Sequence, residues 1–180
     1  LPLFGALPFL FGETNARYID GFFEAMSGLT TTGATVFTGL ETLPKGLLLW
    51  RGILQWFGGI GIIVVAMVFL PELRVGGMQI FKAEAFDTLG KILPKATTIA
   101  MQISVIYLSI TMLCIAAYFA VGMSAFDATV HAMTTVATGG FSNYDASFAA
   151  FSAGAEYVCV VFMLLAALPF VRYVQLINGS

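Results

Sequence analysis

The sequence predicts an all-α membrane protein made of tandem helix–loop–helix repeats. Three observations carry that expectation: an apolar composition, uncharged stretches of membrane-spanning length, and an internal repeat. Of 180 residues, 59% are hydrophobic and only 10% are charged, where a soluble domain carries about 25% charge. So little polar surface excludes an ordinary cytosolic enzyme, a disordered tail and a secreted disulfide scaffold. A net charge of −2 leaves no electrostatic footprint for nucleic acid. Cys114 and Cys159 sit inside apolar runs and read as small buried hydrophobes without a redox role.

A spanning helix needs about 20 mostly apolar residues. Leu1 to Phe11 is apolar but short, and no charged segment precedes it. It is therefore not a complete signal peptide and reads as the tail of a helix in a longer chain. Tyr18 to Leu29 is too short and polar to span and reads as a helix of about three turns. Gly52 to Leu70 and Ala96 to Val121 carry no charge, and they approach or pass the spanning length. Pro71 and Pro94 are expected to stop helices at the edges of these spans. Between them, Met78, Phe81, Ala85 and Leu89 recur at helical spacing. That pattern fits an amphipathic helix at the membrane surface or a connector packed on the protein. Ser124 to Val136 is a second short helix, with Ser124 as N-cap and Asp127 three residues on. Tyr157 to Val171 reaches spanning length if it starts upstream and holds Glu156 near one interface.

Charge sorts the two sides. Arg74, Lys82, Lys91, Lys95 and Arg172 lie on the linker side, against Arg17, Lys45 and Arg51 on the other. The positive-inside rule puts the linker in the cytoplasm. The outer side collects acids such as Asp20, Glu24, Glu41, Asp127 and Asp145, which attract cations.

Sliding the chain along itself without a gap until Asp20 meets Asp127 also brings Ala25 onto Ala132, Met26 onto Met133, Thr31 onto Thr138 and Gly33 onto Gly140. Each unit then reads as outer helix, short half-buried helix, Thr/Gly loop, inner helix. The units are residues 1–71, a first pore-loop repeat with its outer helix truncated, and residues 96–180, a second. A cytoplasmic linker with an amphipathic helix, residues 72–95, joins them. The fold class is thus tandem helix–pore-loop–helix repeats resembling potassium-channel subunits.

Non-helical backbone at membrane depth is tolerated only where protein buries it or it lines a wet cavity. A cation filter replaces the hydration shell with oxygens, mostly backbone carbonyls. It needs Gly where φ is positive or crowding is worst, and a short helix aiming its negative C-terminal end at the ion. Thr31-Thr32-Gly33-Ala34 and Thr138-Gly139-Gly140-Phe141 each offer Thr first and Gly third, as in the potassium-channel pattern Thr-Val-Gly-Tyr-Gly. Ordinary Gly turns at helix ends are the plain alternative.

Specific stretches go further. Phe23 to Thr35 resembles the first filter of the TrkH potassium-uptake proteins, within the TrkH/KtrB/HKT superfamily. Trp50-Arg51 with Trp56-Phe57-Gly58-Gly59-Ile60-Gly61 resembles that family's following inner helix, and Val75-Gly76-Gly77-Met78-Gln79 its cytoplasmic turn. Phe126-Asp127-Ala128 to His131 and Ala137 to Ser142 resemble its second pore helix and filter. The resemblance covers nearly the whole chain and implies a fragment with the first two of four repeats around one pore. It implies one key Gly per loop, Gly33 and Gly140, with Gly139 an adjacent candidate. Potassium would be held by the carbonyls of Thr31, Thr32, Gly33, Thr138, Gly139 and Gly140. It further implies potassium as permeant with no cofactor, a bacterial inner membrane, a homodimer, and a cytosolic nucleotide-binding regulatory subunit of the TrkA type. A gating loop and an Arg barrier belong to the family's third and fourth repeats.

Other polar residues have plainer readings. Gly58, Gly59 and Gly61 let helices approach closely; they are not a dinucleotide fingerprint, since Val64 stands where a third Gly is needed. His131 reads as a packing residue, because a lone His makes no metal site. A Ser27–His131 hydrolase dyad is a remote alternative, and Asp127 reads as a helix cap. Arg51 and Glu156 anchor the outer ends of the inner helices or pair with each other. Two other functions remain open: a structural subunit without transport of its own, and a secondary transporter with broken helices. The latter predicts inverted repeats, whereas both units here run parallel.

Overall fold

The computed structural model describes residues 1–12, 14, 16–69, 92–170, 172, 173 and 176. Those residues form seven α-helices, short 3-10 turns at Leu40–Thr42 and Ser147–Ala150, and no strand. The helices are α1 (Pro2–Gly5), α2 (Leu7–Phe11), α3 (Tyr18–Leu29), α4 (Lys45–Phe69), α5 (Ile92–Ala120), α6 (Ala125–Val136) and α7 (Ala153–Ala167). The short helices α3 and α6 start and end at equivalent positions of the two repeats.

Local chemistry explains the boundaries. Pro8, which lacks an N–H, stands in the first turn of α2, where the apolar N-terminal run divides. Asp20 and Asp127 occupy the third position of α3 and α6. The Asp20 carboxylate accepts the Arg17 N–H at 3.2 Å, and the Ser124 hydroxyl accepts the Asp127 N–H at 3.1 Å. Acids there also suit the positive end of the helix dipole. Pro94 does not stop a helix: it is the third residue of α5. The first turn has no intrahelical use for its N–H groups, so proline is tolerated there. Helix α4 likewise begins before the uncharged stretch and takes in Lys45 and Arg51. The expected linker helix over Met78 to Leu89 lies outside the described residues, as do Arg74, Lys82 and Lys91 among the basic residues that orient the chain.

Packing forms two units that share α4. Helix α3 lies against α1 and α4, while α6 lies against α5, α4 and α7. The larger core joins Tyr107, Cys114 and Tyr118 of α5 to Ala128, Ala132 and Val136 of α6 and Cys159 of α7. The smaller joins Ala6, Phe9, Ala25, Leu47 and Leu54. Both cysteines are free and buried. On α5 the exposed residues Met101, Val105, Leu108, Met112 and Phe119 follow helical spacing and form an apolar outer stripe. Apolar all round, Met101–Ala120 has a mean hydropathy of 2.1 and is long enough to cross a bilayer.

Helix α4 passes between the C-terminal ends of both short helices, and glycine allows the approach. A Cβ on Gly58 would overlap the backbone of Leu29, the last residue of α3. A Cβ on Gly59 would lie 3.1 Å from Ala137, beyond the end of α6, and 2.7 Å from the Tyr107 hydroxyl. That hydroxyl donates to the Trp56 carbonyl at 3.0 Å. Among the described residues, nothing lies within 4 Å of a Cβ on Gly61. Gly58→Ala is therefore expected to lower the melting temperature of the detergent-solubilised protein by an overpacking cost of about 1–3 kcal/mol. Gly61→Ala is expected to stay within about 0.5 kcal/mol. Equal melting shifts in the two variants would contradict the close approach.

Candidate functional site

Both short helices end in the same backbone motif. After α3, Thr32 N–H donates to the Ser27 carbonyl and Thr31 N–H to the Gly28 carbonyl, each at 2.9 Å. After α6, Gly139 N–H donates to the Thr134 carbonyl and Thr138 N–H to the Thr135 carbonyl, again at 2.9 Å. This is the Schellman cap, whose left-handed residue is usually Gly. Here it is Thr31, with φ 55°, and Thr138, with φ 54°. A β-branched residue at positive φ is an outlier costing of order 1–3 kcal/mol. Two residues on, Gly33 and Gly140 have φ of 77° and 75°.

Backbone handedness therefore alternates along each loop, and alternation turns successive peptide groups the same way. On the second loop the N–H side is occupied: besides the cap bonds, Gly140 donates to the Thr134 carbonyl at 3.2 Å and Phe141 to Gln55 Oε1 at 3.1 Å, while on the first loop the cap bonds take the Thr31 and Thr32 N–H groups. Among the described residues, none of the carbonyls of 31–34 or 138–141 accepts a hydrogen bond. The two loops touch, since a Cβ on Gly33 would overlap the Gly139 carbonyl oxygen. A Cβ on Gly139 would overlap the amide end of Gln55, which is fully buried on α4. Beside Gly140 there is room, with Met163 Cε the nearest atom at 3.8 Å. A cavity of about 380 Å³ opens at the outer end of the loops, lined by Gly33, Thr35, Arg51, Gly140, Tyr144 and Asp145 among others.

Equivalent residues of the two short helices tie the loops back. In the first unit the buried Glu24 carboxylate accepts Thr35 Oγ1 at 2.8 Å and Val36 N–H at 3.2 Å. In the second, His131 occupies the position equivalent to Glu24. Its Nδ1 faces the Asp127 carbonyl at 2.9 Å, an acceptor, so Nδ1 carries the proton. Nε2 then accepts Ser142 Oγ at 3.0 Å and, at a long 3.5 Å, Asn143 N–H. Ser142 and Asn143 are in turn the repeat equivalents of Thr35 and Val36. The Asp127 carboxylate receives Asn143 Nδ2 at 2.9 Å and Ser124 Oγ at 2.7 Å, so it caps the helix and also holds the loop. Arg51 of α4 bonds Glu24 Oε1 through Nε and the Ser142 carbonyl through Nη1, both at 2.7 Å. Its guanidinium stands 4.2 Å from the Phe141 ring centre.

At the outer end Asp145 joins the units. Its carboxylate accepts Gly39 N–H at 2.7 Å and Leu40 N–H at 3.0 Å, and its own N–H donates to Glu41 at 3.1 Å. Accepting the Leu40 and Gly39 amides holds the Asp145 carboxyl below the usual carboxylate range.

The residues singled out from sequence, Thr31 to Ala34 and Thr138 to Phe141, lie on these two adjoining loops. The Ser27–His131 dyad is not assembled, because both His131 nitrogens are engaged elsewhere. Arg51 pairs with Glu24 on α3, and not with Glu156. Sequence reasoning missed the roles of Gln55, Ser142, Glu24 and Arg51. The offset that aligned the loops pairs Ser142 with Thr35, but it sets Arg51 on Val158 and Gln55 on Phe162 and so carries no signal for those two. No cluster of His, Cys, Asp or Glu suited to a metal ion occurs among the described residues.

Residues 3–178 match the family model TrkH, described as cation transport protein. The Trk system potassium uptake protein TrkI of Halomonas elongata is 46% identical over 98% of this chain and 36% of its own length. The Trk system potassium uptake protein TrkH of Escherichia coli K12 is 44% identical over 97% of this chain and 37% of its own. The crystal structure of the potassium transporter TrkH from Vibrio parahaemolyticus superimposes with a TM-score of 0.83 at 42% identity, covering 99% of this chain and 36% of that one. The chain thus spans about a third of the length of the curated relatives it matches.

Two outcomes follow from the geometry. Gly140→Ala is expected to cost only backbone strain, about 1–2 kcal/mol, whereas Gly33→Ala must displace the Gly139 carbonyl and costs more, as read by thermal melting. For Asp145 the folded carboxyl titrates below its unfolded value of about 3.9. Its tie to Gly39 and Leu40 is therefore complete above about pH 4 and is lost as pH falls below that. Hydrogen-exchange protection of those two amides should fall in that acid range, and in Asp145→Asn already at neutral pH.

Proposed function

The chain belongs to the TrkH family of cation transport proteins, and we propose that its two loops form half of a potassium-selective filter in a larger uptake protein. Members of the family are membrane transporters, not enzymes. The single observation that carries the filter reading is the row of carbonyls on each loop that accept no hydrogen bond among the described residues. A dehydrating cation needs such oxygens. Thr31, Thr32, Gly33 and Ala34 contribute one row, and Thr138, Gly139, Gly140 and Phe141 the other. The carbonyls of Thr31, Thr32, Gly33, Thr138, Gly139 and Gly140 are the potassium ligands. Helices α3 and α6 end at the loops, so their negative dipole ends favour a cation there. Strain kept at Thr31 and Thr138 supports the same reading, since such outliers cluster at functional sites.

In this reading residues 1–71 and 96–180 are two pore-loop repeats and 72–95 is the cytoplasmic linker between them. Potassium is the permeant and no cofactor takes part. The protein works in the bacterial inner membrane as a homodimer, with a TrkA-type regulatory subunit on the cytosolic side; these assignments rest on the family resemblance.

Gly140→Ser is the cleanest probe, because the position is roomy. In the full-length protein, expressed in a potassium-uptake-deficient bacterium, this substitution is expected to reach the membrane and lose discrimination of potassium over sodium. Unchanged discrimination would overturn the filter reading.

A further inference from the structure

A continuous chain of polar contacts runs behind both loops. Val36 N–H and Thr35 Oγ1 bond the Glu24 carboxylate, Glu24 bonds Arg51 Nε, and Arg51 Nη1 bonds the Ser142 carbonyl. The Phe141 ring lies against the same guanidinium. Arg51 is 1% exposed and Glu24 is fully buried. One planar group thus grips the outer end of the first loop through a carboxylate and the second through a backbone oxygen. One turn further along α4, Gln55 Oε1 takes the Phe141 N–H. The guanidinium donates in a rigid fork, so its contacts fix a separation as well as an attraction.

We propose that Arg51 is a specificity-determining positioning residue: with Glu24 it sets the spacing between the outer ends of the two loops, and through it the spacing of the carbonyls that discriminate potassium from sodium. This rests on the filter reading above. A lysine keeps the charge but offers a single point contact, and so cannot hold both loops in the same geometry. The second unit has its own neutral tether, His131 to Ser142, so on that side the clamp is needed for register between loops and not for closing the loop.

The test uses the full-length protein in the same bacterium, measuring potassium uptake in competition with sodium, together with membrane abundance and the maximal rate in potassium alone. The variants are Arg51→Lys and Thr35→Val, which removes the hydroxyl link to Glu24 and leaves the Arg51–Glu24 pair in place; Gly140→Ser is the reference. The expected result is about a 10- to 100-fold loss of potassium preference in Arg51→Lys and Thr35→Val, the range for groups that hold ligands from behind, with abundance and maximal rate retained. Should Arg51→Lys fail to reach the membrane, Thr35→Val decides. Full discrimination in Thr35→Val and in any Arg51→Lys that reaches the membrane, with discrimination lost in Gly140→Ser, would leave the filter reading standing and overturn the clamp. Full discrimination in Gly140→Ser as well would overturn both.

Discussion

Backbone that leaves a helix must satisfy the N–H groups it frees. That constraint shapes this chain twice. Helices α3 and α6 end partway, and each folds its next residues back so that their N–H groups donate to the helix's own last carbonyls. The motif demands a left-handed residue, which is Thr31 in one case and Thr138 in the other. Among the described residues, the carbonyls of both loops accept no hydrogen bond. The rest of the fold accommodates this. Helix α4 reaches the ends of both short helices only because Gly58 and Gly59 lack side chains there.

Much of this was legible in the sequence. Tyr18 to Leu29 and Ser124 to Val136 announced themselves by length, capping residues and Thr/Gly endings, and the helices fall within a residue of those bounds. The offset between the repeats was visible as a few identities. What it could not reveal is that position 24 and position 131 do the same work, because one is Glu and the other His. Their equivalence lies in geometry: a side chain reaching from the short helix to a hydroxyl eleven residues on. The partner of Arg51 was hidden for a related reason. Glu24 lies in the middle of α3 and Glu156 in the first turn of α7, and only packing decides between them. Pro94 misled because proline breaks a helix interior but not its first turn.

The Arg51–Glu24 pair is not retained for stability alone. Desolvating two charges can outweigh their attraction, although removing one partner from a buried pair costs about 3–5 kcal/mol. A packed apolar pair would close the same space. What it would not do is bond Thr35, Val36 and the Ser142 carbonyl in one connected set.

The two units meet the same demand in different ways, and the difference is self-consistent. A carboxylate tether at Glu24 requires a cation, which Arg51 supplies from α4. A neutral imidazole at His131 requires none, and the repeat equivalent of Arg51 is Val158. The charge in the first unit is therefore matched within that unit. Of the remaining guanidinium hydrogens, those on Nη1 reach across to the second. On the proposed clamp, part of the register between the loops follows from an imbalance between the repeats. Two identical units, each with a neutral tether, would close their own loops and leave the distance between them to the Asp145 and Gln55 contacts.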